Sequence, residues 1–386
     1  MPTLSAGHHR MTKSFRNAGR RKIFTLILPR QGSSYMQMIE PILTAKQADA
    51  LSELVAKAEN IVITTHMSPD GDAMGSSLGL AHVLTYMGKT ARVVVPDDPS
   101  KQLTFLPGAK ETVVFCRYQN FAEQLIADAD LIFCLDYNGL KRIDRMAKSV
   151  AEAKAPKVMI DHHIGPEEFC DITVSHHEMS STCMLLFIVL CNLELYAAID
   201  TDAANCILAG MMTDTGNFSY NANDPAIYTI VSRLIEKGAD KNNLSRRLFD
   251  TFSEWCLRIN GYAVSKKMEV WKEYGAALIT LSRDELNRFH YTRGDTEGLV
   301  NRPLAIPGIV YSVFLREEER YIKVSMRSVG DFPCDVICSR YFGGGGHKNA
   351  AGGEFRGSMQ QCIDVFKSLL QDNAKLIREL PDNGCR

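Results

Sequence analysis

No stretch of this sequence stays apolar for the roughly 20 residues that a bilayer-spanning helix needs, so no membrane span is expected. The short apolar piece in "KIFTLILPR" lacks a small-residue cleavage site, which argues against a secretory signal. Paired cysteines are missing as well. The eleven Cys are scattered, Cys334 and Cys338 have no second pair, and many fall in apolar runs. Reduced core thiols in a cytoplasmic protein are the expectation. A surplus of charge is also lacking: 44 Lys and Arg face 45 Asp and Glu, a formal net charge of −1. That excludes a global pull toward nucleic acid or a membrane surface. The balance is uneven, however. Residues 1–35 hold seven basic and no acidic residues, which leaves 37 basic against 45 acidic, or −8, for the remainder. The basic start reads as a disordered tail, with Met36 as an alternative start; a nucleic-acid arm is the competing reading. No internal repeat is visible.

The 386 residues, 45% hydrophobic and 23% charged, fit two soluble lobes that each bury a core. From about Met36 the pattern is regular. "PILTAKQADALSELVAKA" has helical spacing, "NIVITT" is a β-branched strand, and "DAMGSSLGLAHVLTYMG" is a helix closing at Gly88. "ARVVVP", "DLIFCLDYN" and "KVMIDHH" are further strands, and two apolar helices follow near Ser181–Leu193 and Thr201–Thr213. Strands that alternate with helices and are apolar throughout predict a parallel α/β sheet covered on both faces. The rhythm stops near 237–267, in a polar helical connector. Beyond it lie "GAALITL", a hairpin turning near Glu317–Glu319, and a final helix "MQQCIDVFKSLLQDN". The expected organisation is a tail over 1–35, a catalytic domain over 36–240, a connector over 241–267 with the boundary near 255, and a smaller α/β domain over 268–386, with a cleft between the two domains.

The first strand runs into "THMSPDGDAMGSSLGL", which places His66, Asp70 and Asp72 within seven residues. The other strand and helix ends give Asp136, then Asp161, His162 and His163, then Asp214 in "MTDTGNF". In an open parallel sheet, ligands bind outside the carboxyl ends of the strands, so these residues should converge. Asp72 taken alone reads as the N-cap of the next helix. Caps do not account for four acidic sites beside two imidazole clusters. Uncompensated carboxylates so close would repel and be costly to bury. Carboxylate and imidazole donors without thiolate suit Mn²⁺, with Mg²⁺ or Co²⁺ as substitutes. Five or six donors fit two ions about 3.5–4 Å apart sharing one carboxylate, the clamp that serves phosphoryl displacement. The Gly/Ser start of the following helix is expected to leave room for phosphate.

"THMSPDGDAMGSSLGL", "LDYNGL", "IDHH" and "MTDTGNF", in that order, resemble the four motifs of the DHH phosphoesterase superfamily. "SMRSVGDFPCDVICSRYFGGGGHKNAAGGEF" resembles the C-terminal domain that accompanies one DHH subfamily. Length and "DTEGLVNRPLAI" look most like the bifunctional oligoribonucleases and pAp phosphatases of the NrnA type. The resemblance implies that His66, Asp70 and Asp136 hold one ion. It implies that Asp72, Asp136, His162 and Asp214 hold the other, with Asp136 bridging. Asp161 would orient its neighbours, and His163 would sit over the substrate, so that Asp136, Asp161 and His163 form the catalytic set. Tyr137 and Asn138 replace small residues of many relatives and are expected to reshape the nucleotide entrance.

In the second domain, a glycine run lets backbone N–H groups approach a phosphate. "HKNAAGG" reads as a helix start, which favours an anion. Gly344, Gly345, Gly346 and His347 with Arg327 are therefore the expected substrate-binding residues. Ser180–Thr182 should cap the next helix, His82 should be a packed core residue, and His176 and His177 should lie at the surface or behind the site. Glu297 and Asn301 are left between the cleft and a partner subunit. The expected activity is Mn²⁺-dependent hydrolysis, by hydroxide attack at two ions, of RNA of two to five nucleotides such as pApA or pGpG. Hydrolysis of 3′-phosphoadenosine 5′-phosphate to AMP is expected too. A RecJ-like single-strand exonuclease and a cyclic-dinucleotide phosphodiesterase are the alternatives, and a non-catalytic nucleotide-binding protein is disfavoured by the complete donor set. A homodimer is the family-level expectation.

Overall fold

The computed structural model describes residues 40–380. The basic start and the alternative start at Met36 lie outside the described residues. Six short strands, β1 (Asn60–Thr64), β2 (Thr90–Val95), β3 (Val113–Val114), β4 (Leu131–Leu135), β5 (Lys157–Asp161) and β6 (Ile172–Ser175), form an all-parallel sheet. Their order is 3-2-1-4-5-6. The chain winds outward from β1 through β2 to β3, then returns to lay β4 against the other side of β1. The crevice between the carboxyl ends of β1 and β4 is thus a topological switch point, where open α/β sheets bind ligands. β4 and β5 are buried at all five positions, as continuous apolar strands should be when helices cover both faces.

The helices of this half are α1 (Ala45–Lys57), α2 (Gly71–Tyr86), α3 (Gln119–Ala127), α4 (Ala147–Glu152), α5 (Thr182–Asn192), α6 (Thr201–Asp214) and α7 (Pro225–Glu236). α5 is apolar on every side and almost wholly buried. α2 lies flush on α6 because glycines let the backbones approach. A Cβ at Gly75 would come within 2.5 Å of the Cys206 carbonyl oxygen, and one at Gly71 would collide with the Thr213 side chain. The small residues at the start of α2 are therefore occupied by α6. The expectation that they leave room for phosphate is corrected.

α8 (Lys241–Phe249), α9 (Glu254–Tyr262) and a π turn at Ala263–Lys267 lead into a second sheet. Its strands are β7 (Met268–Trp271), β8 (Ala276–Leu281), β9 (Tyr311–Glu317), β10 (Ile322–Ser328), β11 (Gly344–His347) and β12 (Ala350–Phe355), in the order 11-12-10-9-8-7. α10 (Arg283–Arg288), α11 (Cys334–Tyr341), α12 (Met359–Ser368) and α13 (Leu370–Glu379) complete it. The β9–β10 hairpin closes where expected, with Glu317 opposite Ile322. Its core is aromatic, with Tyr311 stacked 4.4 Å from Phe332 and Phe366 close by. The segment after the glycine run is not helical. Gly344–His347 pairs antiparallel with Ala350–Gly353, and a Cβ at Gly344 would strike the Gly352 carbonyl. Glycine is needed there so that two strands approach closely, which is why the reading of a helix start fails.

Candidate active site

The crevice between β1 and β4 collects the acids and imidazoles of four segments. His66 follows β1, Asp136 follows β4, Asp161 ends β5 with His162 and His163 beyond it, and Asp214 ends α6. His66 Nε2 lies 3.3 Å from Asp136 Oδ2 and 3.7 Å from Asp70 Oδ1. His162 Nε2 lies 3.2 Å from Asp214 Oδ2, 3.7 Å from Asp136 Oδ1 and 3.9 Å from Asp72 Oδ2. Potential ligand atoms within 4.8 Å of one another group as His66, Asp70 and Asp136, as Asp72, His162 and Asp214, and as Asp136, His162 and His163. Asp136 stands in two of the three groups. Of the two motif acids, Asp70 caps α2, accepting from Asp72 N at 3.1 Å and Ala73 N at 3.0 Å. Asp72 is fully buried and does not cap α2, contrary to its isolated reading.

A layer behind these groups fixes their direction. The Nδ1 atoms of His66 and His162 contact the carbonyls of Met67 (2.8 Å) and Met179 (3.2 Å), which places the proton on Nδ1 and leaves each Nε2 as a lone-pair donor. Asp161, fully buried, accepts from His163 N at 3.0 Å and meets His163 Nδ1 at 2.7 Å. The N-terminus of α5 does more than expected. Ser181 caps it, accepting from Met184 N at 3.0 Å. Beyond that cap, Thr182 N and Cys183 N donate to the two oxygens of Asp72 at 2.6 and 2.9 Å, and Thr182 Oγ1 donates to Asp136 Oδ1 at 2.9 Å. The only signal for this in the sequence is Ser-Ser-Thr ahead of an apolar helix. Asp136 itself stands at φ 63°, an uncommon conformation for a residue other than glycine.

Charge in this crevice is unbalanced in a telling direction. Burial, with the charges of Asp136 and Asp70, pushes Asp72 up to about 7. Burial and the neighbouring carboxylates hold Asp214 well above the usual range. Burial opposes a charged His66, yet Asp136 and Asp70 outweigh it and raise that imidazole. His66 Nε2 is buried and has no partner in hydrogen-bond geometry among the described residues. Carboxylates that hold protons, beside imidazoles whose charged form the acids favour, are a cluster whose protons divalent cations displace. The donor set fits them.

The second sheet faces this cluster. The His347 ring lies 6.2 Å from that of His163, stacked at 28°. Burial, then the charges of His163 and Arg142, pull the His347 imidazole down. Arg142 O accepts from Met67 N at 2.7 Å, which ties that residue to the loop after β1. Nothing in the sequence singled out Arg142. Arg327 is half-buried on β10, opposite Ala350 of β12, and its Nη1 donates to Met326 O at 3.0 Å. Arg293 Nη2 donates to Ser68 Oγ at 2.7 Å, a second tie to the loop after β1. Tyr137 does not shape an entrance. It is fully buried, bonded to Thr64 Oγ1 at 2.8 Å and stacked on Phe169, because the residue after Asp136 turns into the core. Asn138 holds the next loop through Ile164 O at 2.8 Å. His176 pairs with Glu178 at the surface, and Glu297 and Asn301 are exposed.

One family model, described as "DHH family, N-terminal domain", matches residues 60–211, and a second, "DHHA1 domain", matches 276–375. The bifunctional oligoribonuclease and PAP phosphatase NrnA of Thermus thermophilus is 32% identical over 299 residues, covering 77% of this chain and 84% of that protein. The chain belongs to the DHH family. The DHH architecture recurs in the crystal structure of an exopolyphosphatase-related protein from Bacteroides fragilis. That match has a TM-score of 0.86 at 46% identity, over 88% of this chain and 100% of the other. RecJ of Thermus thermophilus in complex with Mn²⁺ matches at a TM-score of 0.53 and 12% identity, over 86% of this chain and 55% of that one, which is a likeness of fold. This DHH chain is an enzyme, a phosphoric ester hydrolase.

Proposed function

We propose that the protein hydrolyses RNA of two to five nucleotides to 5′-mononucleotides and 3′-phosphoadenosine 5′-phosphate to AMP. Two divalent ions, Mn²⁺ foremost, would be held by His66, Asp70 and Asp136 and by Asp72, Asp136, His162 and Asp214. The observation that carries this reading is the 6.2 Å approach of His347 to His163. A glycine-strand hairpin thus closes on the acid cluster, so a substrate must fit between two points. A long strand would need an open, basic track, and the net charge of −8 beyond residue 35 supports a local pocket instead.

The ions, when bound, would supply Lewis-acid activation of the phosphoryl centre and of the water that attacks it. The chain's own groups do the rest. Asp161 fixes the His163 ring by its 2.7 Å contact to Nδ1, leaving Nε2 to hydrogen-bond the phosphate or the leaving ribose oxygen. The helix α5 N–H groups hold Asp72 in place as charge moves nearby. Arg327, Arg142 and His347 meet the substrate's second phosphate.

The test is incubation of the purified protein with Mn²⁺ and labelled pApA, pAp, a 24-nucleotide RNA and a 24-nucleotide single-stranded DNA. Fast turnover of pApA and pAp with little attack on either 24-mer supports the proposal. Preferential digestion of the long DNA moves the protein to the RecJ-like class. Turnover restricted to cyclic dinucleotides, added as a further substrate, moves it to the cyclic phosphodiesterases.

A further inference from the structure

Besides the approach of His347 to His163, the two halves meet through the loop that follows α10. Its own half braces it from three sides. Asp295 Oδ2 accepts from Thr292 N at 2.7 Å and from Thr292 Oγ1 at 3.0 Å. Asp295 O accepts from Asn260 Nδ2 of α9 at 2.6 Å, with Cys256 Sγ of the same helix 3.2 Å away. Arg316 Nη1 of β9 donates to Tyr291 Oη at 2.5 Å and to Thr296 Oγ1 at 3.2 Å. The His290 ring lies 4.5 Å from that of Trp255. What this frame holds out is Arg293, an exposed residue.

The receiving side is fixed as well. Ser68 stands at φ 53° between His66 and Asp70. Ser68 N donates to Asp97 Oδ1, and Met67 N donates to Arg142 O at 2.7 Å, so the first half holds this backbone unaided. The Ser68 hydroxyl remains for the other half. It accepts from Arg293 Nη2 at 2.7 Å and gives its single proton to Asp97 Oδ2 at 3.3 Å. A guanidinium and a carboxylate from opposite halves are thus bridged by one hydroxyl, and charge favours both bonds. A Cβ on Gly294 would lie 4.0 Å from Ser100 Oγ, so the loop also lies along the end of β2.

We propose that Arg293 is a positioning residue for phosphoester hydrolysis: its bond to Ser68 latches the second sheet at the distance from the acid cluster that a short substrate spans. The inference rests on the two-point reading above. The Arg293 loop hangs on β9, and the strand carrying His347 belongs to the same sheet, so the latch sets the gap at His163. The first half alone holds the Ser68 backbone, so losing Arg293 leaves His66 and Asp70 where they are. What loosens is the gap. A substrate that touches both points must then close it with part of its own binding energy. Once bound, that substrate replaces the latch, and the chemical step is unchanged.

The experiment follows AMP release from pApA at saturating Mn²⁺, and Mn²⁺ affinity by titration. It compares wild type with Arg293→Ala, Arg293→Lys, Ser68→Ala and the double variant Ser68→Ala with Arg293→Ala. Both residues are exposed, so these changes leave the cores intact. Arg293→Ala should raise KM about fivefold, the usual worth of one hydrogen bond, with kcat and Mn²⁺ affinity within about twofold of wild type. Ser68→Ala should do the same, and the double variant should be no worse than either single one. Arg293→Lys keeps a charged donor and should recover most of the loss. An unchanged KM in Arg293→Ala overturns the proposal. So does a loss carried by kcat or by Mn²⁺ affinity, a double variant whose losses multiply, or an Arg293→Lys enzyme as impaired as Arg293→Ala. Those results leave the phosphoesterase reading standing. Wild type without AMP release from pApA removes that reading and this inference together.

Discussion

Replacing Thr182 by Val removes one hydroxyl from the start of α5 and keeps its shape. In the fold, Thr182 Oγ1 donates to Asp136 Oδ1 at 2.9 Å, with both residues buried. Hydrogen bonds to charged groups contribute about 1.5–3 kcal/mol, so losing this one should weaken the site by roughly ten- to hundredfold. Groups that sit behind metal ligands change affinity or activity by about the same factor. Helix α5 itself should survive, because Ser181 still caps it and Thr182 N still reaches Asp72. The expected result is Mn²⁺ affinity, measured by titration against free Mn²⁺, lower by that factor. pApA turnover should fall in parallel at limiting Mn²⁺. Thr182→Ser should restore most of both. Ser181→Ala is the contrasting variant: loss of the cap should lower stability by about 1 kcal/mol with little effect on Mn²⁺. If Thr182→Val binds Mn²⁺ within twofold of wild type, the hydroxyl does not organise Asp136 and the reasoning fails.

Asp136→Ala should abolish pApA turnover while the circular dichroism spectrum stays native; residual Mn²⁺-dependent activity would sink the bridging assignment. Proton competition should be visible, because Asp72 is pushed up to about 7 by burial and then by the Asp136 and Asp70 charges. Mn²⁺ affinity should therefore rise with pH through about 7, by about tenfold per pH unit for each proton displaced. A flat affinity between pH 5.5 and 7 removes that mechanism. The sign for stability is opposite: a carboxyl raised in the folded state stabilises below its ordinary value, and that stability is lost as pH rises through about 7. The melting temperature of the metal-free protein should thus fall across this window, and saturating Mn²⁺ should suppress the fall. Gly210→Ala places a Cβ against Cys183 Sγ and 3.0 Å from Asp72 Oδ1. Overpacking of this kind should cost about 1–3 kcal/mol in urea unfolding, with Mn²⁺ affinity reduced as well.

The parallel sheet and its acids were legible because the signals are local. β4 and β5 read as continuous apolar runs, and each stops at the residue that reaches the crevice. Thr182 was not legible in the same way. Ser-Ser-Thr before an apolar helix is fully accounted for by a cap, and Ser181 is that cap. The contact of Thr182 to Asp136 spans 46 positions in the chain, so no pattern in either segment announces it. The glycine run failed for a related reason. Glycine marks a close approach without saying to what, and here the approach is to Gly352 in the neighbouring strand. Tyr137 and Tyr220 show the same limit. Both follow a motif acid closely, yet one turns into the core and the other stays exposed, a choice made by the packing of distant helices.

The candidate site concentrates unfavourable features that the rest of the fold has to outweigh. Asp136 and Ser68 occupy positive φ at the ends of the loops leaving β4 and β1. Asp72 and Asp136 are buried near each other, and no lysine or arginine side chain forms an ion pair with either among the described residues. The positive end of α5 offsets part of this through two N–H donors, and a helix terminus is worth roughly half a charge. That leaves most of the negative charge to protons or to cations. The glycine contact between α2 and α6 keeps the cluster from relaxing, because α2 carries Asp72 and α6 carries Asp214. A fold that holds like charges together by rigid packing gives up stability in the metal-free state and gains affinity for the ions that relieve it.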